Sequence, residues 1–142
     1  MSEFSKTIAR AKKGLGTFNE RADKAILNAT RLMALEAERV AKEQIKGSHA
    51  RGTPTPSRIG HPPTNIGGDL RRSIKSDVSR KGFAEYVAQI GPTVVYGRAV
   101  ELGHPRWKNG TKYPFMAPTG KILRNSPRLR YIYTEALKRA LP

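Results

Sequence analysis

The strongest hydrophobic pattern in the chain is helical and occupies its first third. Apolar side chains recur at steps of three and four residues, which places them on one face of an α-helix: Ala22, Ile26, Ala29, Met33, Ala37 and Val40. Thr17 and Glu20 have the spacing of a capping box, and Gly47 can end a helix in the left-handed conformation. The pattern predicts a helix from about residue 18 to residue 46, roughly 43 Å long.

The segment before this helix is basic and poor in apolar side chains. Besides Met1, its large apolar residues are Phe4, Ile8 and Leu15. It has no continuous apolar stretch of the kind that a secretory signal requires. We therefore expect residues 1–16 to form a flexible basic N-terminal arm, followed by a single domain over residues 17–142.

The predicted helix also carries apolar side chains outside its main stripe. Leu27, Ala34 and Ile45 share one flank, and Leu35 projects from the charged side. One apolar stripe needs one neighbour, and a second strip needs a further surface to cover it. That surface is either another subunit or the C-terminal helix of the same chain, and the sequence leaves both open.

Residues 47–68 lack a periodic pattern and are rich in proline and glycine. Their prolines are Pro54, Pro56, Pro62 and Pro63. Proline lacks a backbone donor and favours extended backbone, and long structureless loops are uncommon in compact domains unless they are functional or disordered. We expect an extended loop that either orders against a neighbouring subunit or stays flexible.

The second half of the chain alternates between strand and helix patterns. Residues 74–78 and 84–90 alternate in polarity, which predicts an antiparallel hairpin preceded by a helical turn that Asp69 caps. Residues 96–102 predict a short helix, and residues 113–118 an edge strand because of their prolines. Ser126 and Pro127 begin a last helix that ends near residue 141.

This order of elements predicts the α+β class. We expect the long N-terminal helix and the C-terminal helix to pack on a small antiparallel sheet, with the long loop between the first helix and the hairpin.

The charge is strongly unbalanced. The chain has 27 Lys and Arg against 11 Asp and Glu, a net charge of +16, well above the magnitude of about 2–8 that is usual for a small domain. Such a surface repels its own copies unless counterions, nucleic acid or an acidic partner screen it. The candidate contacts to a DNA channel or an acidic partner lie near the C-terminus: Lys121, Arg124, Arg128 and Arg130. General solubility is the plainer explanation of the charge.

Residues with catalytic chemistry are few. The chain has no cysteine, which excludes disulfides, thiolate metal ligands and thiol catalysis. His49, His61 and His104 form no close pair, and no phosphate-binding loop or nucleophile elbow occurs. No apolar run approaches the ~20 residues of a membrane span. We predict a protein that is not an enzyme and that needs no cofactor, metal or membrane.

Four segments resemble, in order, a siphophage family of head–tail joining, neck and tail-completion proteins. Residues 67–74 are similar to its T-G-x-L-R-x-S-I segment, with Gly67 in the place of Thr, and residues 90–92 to its V-G-P. Residues 96–103 resemble Y-A-x-x-V-E-x-G, and residues 114–118 resemble P-[YF]-[LM]-x-P. The resemblance covers roughly residues 17–141.

The resemblance implies a non-catalytic virion protein that reaches the virion from the host cytoplasm. Its copies would form a ring, hexameric or dodecameric, around the DNA channel and would contact other connector and tail proteins. Duplex DNA would pass through without sequence-specific contacts. The alternative is a free basic protein that binds nucleic acid non-specifically through the phosphate backbone.

Within this hypothesis we expect Arg71 and Arg72 at a subunit or partner interface, with Leu70 between them pointing inward. The other candidate interface residues are Leu27, Leu35, Ile45, Arg51 and Arg58. We expect Glu101 to form a structural ion pair or a helix cap, or else to be an exposed carboxylate.

Overall fold

The structure is a computed structural model that describes residues 2–54 and 57–141. It contains a two-stranded antiparallel sheet and five α-helices within those residues. The elements, in chain order, are α1 (Glu3–Gln44), α2 (Asp69–Ser73), β1 (Ile74–Gly82), β2 (Glu85–Pro92), α3 (Gly97–Leu102), α4 (Met116–Arg124) and α5 (Pro127–Ala140). The predicted α+β class, with a long N-terminal helix, a C-terminal helix and a small antiparallel sheet, is confirmed.

Helix α1 starts much earlier than the sequence predicted. It runs for 42 residues from a cap at Ser2, whose hydroxyl accepts the Ser5 N–H at 3.2 Å. Thr17 is not a cap, because its hydroxyl donates to the Lys13 carbonyl inside the helix. The predicted start is therefore wrong, and residues 3–16, for which we expected a flexible arm, continue the helix. Ala, Lys, Arg and Leu in this segment favour helix and outweigh Gly14 and Gly16.

The hairpin of β1 and β2 is confirmed and packs against α1. Ser76 pairs with Ile90, and Val78 pairs with Ala88. A two-stranded hairpin alone is marginally stable in water, so its packing on the helix is essential. Helix α1 holds it by Glu38, whose carboxylate accepts the Ser76 N–H at 3.0 Å and the Ser76 hydroxyl at 2.9 Å.

Two further carboxylates of α1 fix neighbouring elements. Asp23 accepts the Ala84 N–H at the hairpin turn, at 2.8 Å, and the Tyr86 hydroxyl at 2.9 Å. Glu36, which is buried, forms an ion pair with the Arg128 guanidinium of α5 at 3.0 Å and also pairs with Arg39. One helix therefore organises the domain through its acidic side chains as well as its apolar stripe.

The tightest packing lies where the end of α1 meets the sheet. Ala41, Ile45, Ile74 and Phe115 are fully buried there, and Leu70, Ile90, Val100 and Met116 pack around them. Ile45 is 1% exposed. Our expectation that Ile45 contributes to a subunit interface is therefore wrong, because the chain's own core covers it.

The predicted edge strand over residues 113–118 is wrong, because helix α4 begins at Met116. The Glu101 carboxylate of α3 accepts the N–H groups of Phe115, Met116 and Ala117 at 2.6–2.9 Å. Pro118 falls in the first turn, where a helix needs no donor. The prediction of a helix cap for Glu101 is confirmed, while the helix that it caps was not foreseen.

The 47–68 loop returns to its starting point. No helix or strand occurs in its described part, which leaves out residues 55 and 56 and hence Pro56. Its two ends are joined by the His49 N–H to the Asn65 carbonyl at 3.1 Å and the Gly67 N–H to the His49 carbonyl at 2.8 Å. Its contact with a neighbouring subunit stays a prediction.

We predict that Glu101→Ala lowers the free energy of unfolding by about 1–2 kcal/mol, because three N–H groups at the start of α4 lose their acceptor. Denaturant unfolding followed by circular dichroism measures it. Glu135→Ala is the control, because it removes a half-buried carboxylate whose ion pair within the described residues is with Lys138. Equal stability of the two variants would contradict the capping role.

We predict that the domain loses stability in acid. The Ala84 N–H first, and then Tyr86 and Arg80, hold the pKa of Asp23 below its ordinary value. Arg39 first, and then Arg128, lower the pKa of Glu36. A carboxylate with a lowered folded-state pKa stabilises the fold above its unfolded pKa, and that contribution is lost as the pH falls through the folded pKa.

The measurement is the free energy of unfolding between neutral pH and about pH 3. Asp23→Asn should make this acid dependence shallower than in the wild type, whereas Glu20→Gln, an exposed change in the same helix, should leave it unaltered. An acid dependence that Asp23→Asn leaves unchanged would exclude this carboxylate as a contributor.

Candidate functional site

Several cationic side chains line a cleft of about 420 Å³, which we call the basic cleft. It is lined by residues from the end of α1, the returning loop, α2 and the start of β1: Lys42, Asn65, Gly68, Arg71, Arg72 and Lys75. Four of these six residues are cationic. The cleft brings Arg71 and Arg72 together with the nearby Lys75 and with Lys42, which is distant in sequence.

The local backbone explains why these side chains face outward. Gly67 and Gly68 both have positive φ, 69° and 78°, and turn the chain into α2. The glycine at 67, where the segment that it resembles has Thr, suits this conformation, which residues other than glycine rarely adopt. Leu70 packs against the core, as predicted, so Arg71 and Arg72 are exposed.

Carboxylates neutralise part of the positive charge in the basic cleft. Asp69 is not the cap of α2 that we expected, since Gly68 takes that position and the Asp69 carboxylate pairs with Arg72 and Arg51. Arg72 first, and then Arg51, hold the Asp69 pKa below its ordinary value. Lys42 is paired with Glu38.

Arg71 and Lys75 keep an unneutralised charge. Neither side chain meets a carboxylate within the described residues. These two unneutralised cations make the cleft suited to a phosphate or carboxylate group, whereas the Asn65 amide already donates to the Gly47 carbonyl at 3.0 Å.

The remaining candidate contacts do not form one site. Lys121 and Arg124 are exposed on α4, and Arg130 is exposed on α5. Arg128 is held by Glu36 and is therefore part of the packing between α1 and α5. Arg58 is exposed in the loop.

A second concave surface, of about 690 Å³, lies between α1 and α5, and we call it the α1–α5 groove. Leu32 and Leu35 of α1 and Tyr131 of α5 line it and are exposed, Leu35 by 60%. Leu35 is thus exposed, and its subunit contact stays a prediction, whereas Leu27 is half-buried and does not line the groove. Helix α5 covers part of α1 but leaves this strip open.

Polar side chains outside these surfaces have local structural contacts. His104 accepts the Arg106 N–H through Nδ1 and lies 6.0 Å from the Trp107 ring, between centroids. In the part of the chain that the structure describes, no three His, Asp or Glu side chains form a group that could hold a metal ion. None of the described helices is long and apolar enough to cross a bilayer.

Sequence reasoning missed Lys42, Asn65 and Lys75 as partners of Arg71 and Arg72. The outward position of Lys75 follows from the alternation of β1, which was a usable signal. No local pattern could place Lys42 and Asn65 there, because they arrive from a helix end and a loop that meet only in the fold.

Comparison with protein-family models, with curated proteins and with solved structures found no match for this chain.

We predict that Arg71→Glu with Lys75→Glu weakens binding to a mixed-sequence DNA duplex by roughly tenfold or more, because the cleft loses both unneutralised cations. The slope of log affinity against log salt should become shallower by roughly two. Fluorescence anisotropy across a salt series measures both quantities.

Lys121→Glu with Arg124→Glu makes the same change of charge on α4 and is the matched control. We expect a smaller loss of affinity for this variant. Equal losses for the two variants would show that affinity follows net charge and not the cleft.

Proposed function

We propose that this chain is a non-catalytic structural subunit of a tailed-phage virion. Copies of it would form an oligomeric ring at the head–tail junction, around the channel through which the DNA passes. Its role is mechanical and electrostatic: it joins neighbouring proteins and presents cations to the duplex.

The observation that carries the proposal is the convergence of the four related segments on one core. Leu70 and Ile74 of the first segment, Ile90 of the second, Val100 of the third and Phe115 of the fourth all pack together. In addition, Glu101 of the third segment caps the helix that begins in the fourth. The motifs are therefore mutually dependent parts of one packing arrangement, which supports a shared fold more strongly than four separate matches do.

The surface supports an assembled state. Several large apolar side chains are exposed on α1 and in the α1–α5 groove, and positive charge remains unneutralised in the basic cleft. A ring subunit can bury apolar area against its neighbours, and a surface that faces DNA gains affinity from counterion release. Contacts to the DNA phosphates alone do not depend on base sequence, so DNA of any sequence could pass through the channel.

We predict that the protein is present in purified mature particles in a stoichiometry of several copies each, measured by quantitative mass spectrometry. Absence from mature particles would reject the proposal. Arg71→Glu with Arg72→Glu should reduce the yield of joined, infectious particles, because both arginines lie in the basic cleft.

The control for this variant is Arg106→Glu with Lys108→Glu, which reverses two exposed charges in the loop after α3. It should leave particle yield unchanged. Normal particle assembly with the arginine variant would remove Arg71 and Arg72 from the interface.

The basic cleft also favours a second candidate function, a free protein that binds nucleic acid non-specifically. The two functions differ in the oligomeric state of the protein that binds DNA. Tight duplex binding by a monomer at physiological salt, with a steep salt slope, favours the free protein, whereas binding that appears only with oligomers favours the ring.

A further inference from the structure

The first five turns of α1 project from the domain. The described side chains of residues 2–21 are all exposed. Their side-chain hydrogen bonds and ion pairs, within the described residues, stay inside the helix itself. We call residues 3–21 the projecting segment, which is roughly 28 Å long.

The projecting segment carries a narrow apolar seam, formed by Ile8, Ala11, Leu15 and Phe18. Their steps of three, four and three residues are those of a helix that packs along another helix. Leu15 is 63% exposed and Phe18 is 50% exposed. The described part of the chain leaves this seam uncovered.

The seam continues a surface that is already used inside the domain. The same spacing leads on to Ala22, Ala25 and Ala29, and Ala29 is 0% exposed. On a helical projection these positions share a line with Glu36, whose carboxylate meets Arg128 of α5. The face that packs inside the domain thus extends beyond the end of α5 without a partner.

The chain cannot cover the seam with its own domain. Helix α1 is continuous from Glu3 to Gln44, so the projecting segment points away from the domain. Gly14 and Gly16 weaken the helix by about 1 kcal/mol each relative to alanine, and neither has a neighbour that an added Cβ would meet within 4 Å. The projecting segment contains two glycines and its described side chains are all exposed, so a contact along the seam would stabilise it.

The α1–α5 groove has the dimensions that the seam requires. It extends along α1 from Asn28 to Arg39, roughly 17 Å, and the seam from Ile8 to Phe18 measures roughly 15 Å. Leu32, Leu35 and Tyr131 present exposed apolar area to it. Lys6, Arg10 and Lys13 lie on the opposite side of the projecting segment, so the contact leaves most of its cations in solvent.

We propose that the seam of one copy docks in the α1–α5 groove of a second copy. The contact joins two different surfaces, so each copy keeps a free seam or a free groove for the next one. Repeating this contact gives a closed ring when the rotations between successive copies add up to a full turn, and an open filament otherwise. The inference specifies the subunit contact of the proposed virion ring, and its ring form rests on that proposed function.

The absence of cysteine from the chain allows a direct test by disulfide cross-linking. We make Leu15→Cys in the seam and Leu35→Cys in the groove as two separate proteins, mix them and oxidise them. The mixture should form a disulfide-linked heterodimer, whereas each protein alone should stay uncrosslinked. Val95→Cys, whose position is 99% exposed and outside both surfaces, is the control partner for Leu15→Cys.

The double variant Leu15→Cys with Leu35→Cys should form a ladder of cross-linked species that ends at the copy number of the ring. Cross-linking of Leu15→Cys to itself would overturn the groove as the docking site and would show pairing of two seams. No cross-linking in any mixture, or a wild-type protein that is monomeric at all soluble concentrations, would overturn the contact between copies.

A charge introduced into the seam provides an independent measurement. Leu15→Glu should shift the protein to monomer in light scattering, whereas Thr17→Glu, two residues away on the opposite face, should keep the wild-type mass. Far-UV circular dichroism checks that both variants keep the folded domain. Monomer formation by both variants or by neither would overturn the seam as the contact.

The outcome is separable from that of the proposed function. If the protein is present in particles but the Leu15–Leu35 cross-link does not form, the virion role stands and this contact is rejected. If the cross-link forms but the protein is absent from particles, the contact stands and the virion role is rejected.

Discussion

The packing of the hairpin, α4 and α5 around helix α1 is the constraint on which this structure depends. The hairpin, α4 and α5 make few contacts with one another, and each is fixed by something that α1 provides. Asp23 holds the hairpin turn, Glu38 holds β1 and Glu36 holds Arg128 of α5. Because a two-stranded sheet and a helix of nine residues have little stability alone, the domain would not persist without this central helix.

The use of carboxylates inside the fold explains the electrostatics of its surface. The chain has 11 acidic residues, and Asp23, Glu36, Glu38 and Glu101 serve buried or half-buried tertiary contacts. Few acids remain to balance the 27 Lys and Arg, most of which are exposed. A basic cleft with unneutralised Arg71 and Lys75 follows from this distribution, and the DNA of the proposed function would neutralise it.

Predictions from local sequence pattern succeeded for elements that are fixed by residues a few positions apart in the sequence. The alternation of β1 and β2 and the Ser126-Pro127 start of α5 act over a few residues, and the structure confirms them. The start of α4 depends on Glu101, which lies 14 residues before Phe115, whereas the nearby prolines considered alone predict an edge strand. The start of α1 was misplaced because a capping-box spacing also occurs inside a helix, where Thr17 bonds to the preceding turn.

The sequence by itself determined the α+β class, the hairpin, the last helix, the inward position of Leu70 and the excess of positive charge. These follow from periodicity and composition, which act within single elements or over the whole chain. Only the tertiary structure decided which apolar residues of α1 are covered: Ile45 lies in the core, whereas Leu15 and Leu35 remain exposed. The reason is physical, because periodicity shows that a face must be buried, while the lengths and directions of the packed elements decide what buries it.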